Sequence, residues 1–219
     1  FRRVLFRSCP HSKDKNTFCQ IMMTKMADGK WSDDVSLPFN SESYTTGQPS
    51  LAADGKTLFF ASDMPGTMGG KDIWMSRWDD ASSSWGTPTN LGAGINTEGE
   101  ELFPYAGRAG KLYFSSNGKP GMGGLDIFSS SYENGVWSEG LNLKSPMNSP
   151  GDDFGLFFTS ETNGYLSSNR EGGKGADDIY AFIIPPLNLS VGGKVYDTDT
   201  KEPLEGALVE LFGSDGTSL

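Results

Sequence analysis

Residues 116–128 read S-N-G-K-P-G-M-G-G-L-D-I-F. The string joins two short apolar runs, residues 111–115 and 126–131, through a segment too rich in glycine to be helix or strand. Gly123 and Gly124 allow the sharp reversal, and an Asx residue near each end, Asn117 and Asp126, can accept hydrogen bonds from the loop's backbone N–H groups. This predicts two antiparallel strands closed by a loop that needs no ligand.

The same string recurs on both sides. S-D-M-P-G-T-M-G-G-K-D-I-W occupies residues 62–74, and S-N-R-E-G-G-K-G-A-D-D-I-Y residues 168–180. In each copy an Asx residue and a later Asp stand nine positions apart: Asp63 with Asp72, Asn117 with Asp126, Asn169 with Asp178. Trp31, Trp85 and Trp137 keep offsets of 54 and 52 residues, as do Leu37, Leu91 and Leu143. A register held this strictly identifies an internal repeat. Each unit parses as short strands: residues 56–61, 111–115 and 164–167 before the loop, and 72–77, 126–131 and 178–183 after it. A Trp-led strand such as 85–91 follows, and another fits near 49–52, ahead of the Asp54-Gly55 turn.

Four short strands in about 50 residues is the arithmetic of a propeller blade. Helical repeats need a 3.6-residue period that these segments lack, and a sandwich gives similar strands without a strict repeat. The fold class read from the repeat is all-β: a partial β-propeller of four-stranded antiparallel blades over residues 9–184, about three blades plus a partial one. The composition agrees, because 29 Gly, 12 Pro, 14 Phe, 7 Tyr and 5 Trp suit many short aromatic strands joined by tight turns.

Charge and length remove several function classes. With 28 acidic residues against 18 basic ones, the net charge of −10 repels phosphate backbones, so no nucleic-acid partner is expected. No stretch approaches the roughly 20 apolar residues of a membrane-spanning helix, so no transmembrane segment is expected. Cys9 and Cys19, the only cysteines, either pair or are free, and no second pair exists to build a zinc site. Residues 1–8, F-R-R-V-L-F-R-S, look like a translated sequencing adaptor and are set aside as an artefact.

The S-S-N…G-G-L-D-I-F and S-S-N-R…D-D-I-Y strings resemble the TolB-type, WD-repeat-like propeller repeats of OmpA-family envelope proteins, especially those of Bacteroidota. So do D-G-K-T-L-F-F at 54–60 and the G-x-W-S phrases at 29–32 and 135–138. Beyond a Pro-Pro linker at 185–187, V-G-G-K-V-Y-D-T-D-T-K-E-P-L-E-G-A-L-V-E-L-F at 191–212 is similar to the opening of a carboxypeptidase-regulatory-like β-sandwich, here residues 188–219. That order resembles the PorE-related proteins of the type IX secretion system. The resemblance implies a periplasmic, outer-membrane-associated scaffold that docks an envelope protein partner. It also implies attachment to peptidoglycan through a domain outside this chain.

Residue chemistry offers little for catalysis. His11 is the only histidine, and no G-x-S-x-G elbow, H-E-x-x-H helix or P-loop is present. Glu100, Glu101, Asp152 and Asp153 stand at matched places in successive repeats, which suits turn formers or a solvated rim better than a unique active site. No catalytic residue, no cofactor and no enzymatic activity are therefore expected. Asp177 and Asp178 fit a calcium-repeat pattern, G-G-x-G-x-D-x-U, in one loop alone, so a structural loop is favoured over a metal site. Trp31, Trp74, Trp78, Trp85, Phe128, Trp137 and Tyr180 are read as core between blades. The alternatives to a scaffold are a glycan-binding or glycan-cleaving propeller, or the accessory propeller of a hydrolase.

Overall fold

The computed structural model describes residues 4–7, as backbone only, 18–185 and 192–210. None of them is helical, so none forms a helix long and apolar enough to cross a membrane. The chain divides into two compact units, Phe1–Ile184 and Pro185–Leu219. His11 and Cys9 lie outside the described residues, while Cys19 is disulfide-bonded.

The first unit is a series of antiparallel sheets. The first holds β1 (Val4–Arg7), β2 (Met22–Ala27), β3 (Lys30–Trp31) and β4 (Val35–Ser36), with β1, β3 and β4 all paired to β2. Thus Val4–Arg7, inside the segment set aside as an artefact, pairs with residues 22–25. The second sheet runs β5 (Thr46–Leu51), β6 (Thr57–Ser62), β7 (Asp72–Asp79), β8 (Ser84–Trp85), with β9 (Thr89–Asn90) also on β7. The third repeats that order in β10 (Glu101–Ala106), β11 (Lys111–Ser116), β12 (Asp126–Glu133), β13 (Val136–Trp137) and β14 (Leu141–Asn142). The fourth has β15 (Asp153–Phe158), β16 (Asn163–Ser168) and β17 (Asp178–Ile183). Together they form a curled, half-barrel arrangement.

Both faces of the central strands of the second and third sheets are apolar because those sheets are covered from two sides. On β6, Leu58 and Phe60 pack with Ile21, Met23, Leu37 and Phe39 of the preceding repeat. Phe59 and Ala61 face the other way, with Ile73, against Ile95, Leu112 and Phe114 of the next. Ile127 repeats the pattern against Leu156 and Leu166. Burying each such side chain contributes roughly 1.5–3 kcal/mol, so the stack is held by contacts between successive repeats as much as within them.

One polar device ties each repeat to the next. The side chain of Asn96 brackets Ile73, accepting from its N–H at 2.8 Å and donating to its carbonyl at 3.0 Å. Asn148 does the same to Ile127 at 2.8 and 2.9 Å, and Asn40 to Ile21 at 2.9 and 2.8 Å. Asn96 and Asn148 are about 1% exposed, where an unpaired amide is costly, so these bonds specify the register of sheet on sheet.

Two sequence expectations change, and one feature is added. The Trp-led strand at 85–91 is two short pieces, β8 and β9, broken around Thr87-Pro88, where proline supplies no N–H. The first strand of each later repeat carries a bulge: the pairing shifts between Gly47 and Ser50, Leu102 and Tyr105, and Phe154 and Phe157. Gln48, Phe103 and Gly155 take left-handed φ there, of 52°, 52° and 63°. Trp31, expected in the core, is 46% exposed, because β3 is a two-residue strand in a surface hairpin.

In the second unit, the described residues 192–210 hold one bridge, Tyr196 to Pro203, around a turn in which the Asp197 carboxylate accepts from Asp199 N and Thr200 N. Those bonds, from Thr200 first, hold its carboxyl below the usual range. Leu208 and Val209 are exposed.

Candidate functional site

The repeat-loop residues divide into two jobs. The closing aspartates hold their own loops: Asp126 Oδ2 accepts from Met122 N and Gly123 N at 2.8 and 3.0 Å. Asp178 Oδ2 accepts from Lys174 N and Gly175 N at 2.6 and 3.0 Å. Asp72 Oδ2 accepts from Met68 N at 2.9 Å and Asn90 Nδ2 at 2.6 Å. Burial pushes the Asp72 carboxyl above its ordinary value despite these donors. The opening Asx residues reach out of the loop instead, to the residue before the first strand of their own sheet. Asp63 Oδ1 accepts from Thr45 N, Asn117 Oδ1 from Glu100 N and Asn169 Oδ1 from Asp152 N, at 2.6, 2.8 and 2.6 Å. Asp178, the calcium candidate with Asp177, is thus occupied as a turn acceptor. Among the described residues no group of three or more His, Cys, Asp or Glu side chains is placed to hold a metal.

Glu101 and Asp153, expected on a rim or in turns, are fully buried. The Glu101 carboxylate accepts from Thr97 N, Thr97 Oγ1 and Ser116 Oγ at 2.7, 2.7 and 2.6 Å. Asp153 accepts from Ser149 N and Oγ and pairs with Arg170 at 2.5 Å. Carboxylates so saturated with donors brace the strand heads. Glu100 and Asp152 stay half-buried beside them, Glu100 with Lys71 at 3.5 Å and Asp152 accepting from Leu125 N at 2.8 Å.

Several open cavities are lined by described residues, and two of them differ in their walls. One, of about 440 Å³, lies along the first strands, lined by Gln48, Phe103, Tyr105, Leu156 and Phe157, with no carboxylate in its wall. The other, of about 310 Å³, opens between the second and third sheets. Phe59 and Met75 on the outer face of the second sheet form one wall, and Tyr132 and Trp137 of the β12–β13 hairpin the other. Trp137 meets Phe59 edge-on at 5.6 Å and Tyr132 at 5.1 Å. Its indole N–H is buried without a hydrogen-bond partner.

Charge in this cleft opposes that of the whole chain. Arg77, Arg108 and Lys111 line it, Arg108 also pairing with Glu161 at 3.1 Å outside it, and the one lining carboxylate is Asp54. That carboxylate is engaged by Lys56 N at 2.8 Å, Thr57 N at 2.9 Å and Thr57 Oγ1 at 2.7 Å. Partial burial works against ionisation of Asp54, yet these donors and the Arg77 charge hold its carboxyl below the usual range. Aromatic walls beside cationic, bidentate donors suit a ring with attached carboxylate groups. The cleft escaped sequence reading because its residues come from separate strands and two turns. The repeated Φ-Asn-Ser/Thr strings at Asn40, Asn96 and Asn148 were a visible signal that the reading passed over.

No family model matches the sequence, and no curated protein is significantly similar to it. Solved structures are similar in fold. The GH43 endo-arabinanase from Bacillus licheniformis aligns with a TM-score of 0.53 at 15% identity, over 93% of this chain and 73% of that one. The α-L-arabinofuranosidase from Lactobacillus brevis aligns with a TM-score of 0.50 at 13% identity, over 99% and 71%. A prolyl endopeptidase aligns with a TM-score of 0.46 at 14% identity, over 87% of this chain, which spans 26% of that protein. The two glycosidase likenesses define the class: an all-β, propeller-like fold of the kind on which both glycosidases are built. They also correct the expectation that the chain is not an enzyme. Missing local signatures were weak grounds for it, because one fold hosts many activities through the particular side chains grafted on it.

Proposed function

We propose that residues 9–184 form a partial β-propeller of four-stranded blades that acts on acidic glycans, with the cleft between the second and third sheets as the sugar site. The observation behind this reading is the cleft's chemistry: three cations and an aromatic pair in a cavity of about 310 Å³, on a chain of net charge −10. Trp137 and Tyr132 offer faces for a pyranose ring, and Arg77 and Lys111 take its carboxylate, with Arg108 available once it exchanges its exposed pair with Glu161. The glycosidases of similar fold make sugars the natural class of ligand. Calorimetric titration with a galacturonate oligosaccharide should give saturable binding, weakened about tenfold in Arg77→Ala, with neutral arabino-oligosaccharides binding less well. A reducing-end assay on the same mixtures reads cleavage. Flat titrations with both sugars, or binding unchanged in Arg77→Ala, overturn the reading.

A second reading, a periplasmic envelope scaffold of the OmpA family, is favoured by one observation, the repeat strings followed by the sandwich-like opening at 191–212. It predicts that the protein fractionates with the outer membrane of the producing cell; a cytosolic location overturns it.

A further inference from the structure

A second cleft opens beside the β10–β11 turn. It has a volume of about 230 Å³, lies between the third and fourth sheets, and is lined by Tyr105, Tyr113, Phe158 and Glu161. Arg108 and Lys111 line it too, and both also line the cleft between the second and third sheets. The turn that carries them is tight. Gly107 N donates to Lys111 O at 2.8 Å, Lys111 N donates to Arg108 O at 3.1 Å, and Ala109 and Gly110 take left-handed φ of 52° and 70°. A Cβ on Gly107 would stand 2.7 Å from the Tyr113 ring, so glycine lets that ring lie against the turn. The two clefts are thus neighbours that share one cationic partition. Both have aromatic walls, but their charge differs. In the second, Tyr113 meets Phe158 at 5.3 Å, and Tyr105 stacks near the same ring at 6.2 Å. Burial, and then Tyr105, raise the Tyr113 phenol above its ordinary value, so it stays a neutral hydroxyl. Where the first cleft sets three cations against one engaged carboxylate, the second adds Glu161, which pairs with Arg108 at 3.1 Å while the two side chains stay 72% and 82% exposed.

We propose that this second cleft is a subsite for a neutral sugar linked to the uronate held in the first, so that the glycan recognised is one that joins acidic to neutral residues. The inference rests on the reading of the first cleft as a uronate site and extends it along the glycan. The rings of Tyr105, Tyr113 and Phe158 offer an apolar wall to the C–H face of a sugar. The Glu161 carboxylate accepts from hydroxyl groups, which a neutral sugar carries around its ring, and it repels the carboxylate that a second uronate would bring. Its pair with Arg108 is exposed and therefore weak, so it gives way to sugar hydroxyls and releases Arg108 to the uronate. Glu161 is thus the residue that sets which sugar enters.

The probes are two tetrasaccharides, one of galacturonate alone and one in which galacturonate alternates with rhamnose, titrated calorimetrically into the full chain. The alternating sugar should bind about tenfold more tightly, because it sets no carboxylate against Glu161. In Glu161→Gln, a change at an exposed side chain that leaves the packing untouched, the galacturonate tetrasaccharide should gain affinity and the ratio should fall to about one. Three results overturn the inference alone, so long as Arg77→Ala still weakens both sugars: equal affinities in the native chain, tighter binding of the galacturonate tetrasaccharide, or a ratio that Glu161→Gln does not move. Flat titrations with both sugars, or titrations indifferent to Arg77→Ala, overturn the uronate reading of the first cleft and this inference with it.

Discussion

Asp126 and Asp178 hold the same turn with the same two kinds of backbone N–H donor, while the residues that follow them, Ile127 and Ile179, are 0% and 77% exposed. The loop is a local object, built from a glycine-rich chain reversal and one carboxylate, and it forms wherever its string occurs. Burial of the strand after it is not local. It depends on the segment that arrives from the next repeat, and β17 receives none among the described residues.

The sharpest break of this comparison is a pair of truncations. Ile127→Ala should destabilise the protein by about 2–5 kcal/mol, as a fully buried large-to-small change does, whereas Ile179→Ala should stay within about 0.5 kcal/mol. Urea unfolding of the two variants reads both. Equal losses would mean that β17 is covered in solution.

The strand heads offer a second contrast. Glu101 is satisfied by neutral donors alone, but Asp153 leans on Arg170, which also donates to Pro146 O and Met147 O at 3.1 and 2.8 Å. Arg170→Ala should cost about 2–3 kcal/mol, less than a fully buried pair because the guanidinium is partly exposed. Denaturant midpoints check this, and a loss below that of Ser116→Ala would reverse the contrast.

Asp72 makes its own loop sensitive to pH. Its carboxyl is raised by burial above the usual 3.8, so the folded protein binds this proton more tightly than the unfolded chain. The resulting stability is fully present below the unfolded value and is lost as pH rises through the folded one. Stability of the native chain relative to Asp72→Asn should therefore decline as pH is raised from about 3 to 7. Urea midpoints over that range give the sign, and a rise would refute it.

The smallest effect belongs to the surface. Lys56 pairs with Asp80 where both side chains are more than half exposed. Lys56→Ala should change stability by less than about 0.5 kcal/mol, even though it neighbours the Asp54 turn. Thermal melts in low and high salt check it.

Much of this molecule was legible in order along the chain. The three loop strings, the nine-residue Asx spacing and the Trp and Leu offsets are short-range patterns, and short-range patterns dictate turns and strand starts directly. So the strands flanking each loop fall within one or two residues of their expected starts, although β7 and β12 run two residues further. The split of 85–91 was less visible, because a proline in a short run demotes a strand without saying where the chain resumes pairing.

By itself, the sequence determined an all-β repeat, its period, its loops and the acidic balance of the chain. Only the tertiary structure decided which acids are buried braces, which aromatic residues line a cleft, and which isoleucine stays bare. The physical reason is range. Turn chemistry is settled within a few residues, whereas burial, desolvation and the meeting of Arg77 with Trp137 depend on segments about 60 positions apart in sequence, which become neighbours only once one repeat is laid against the next.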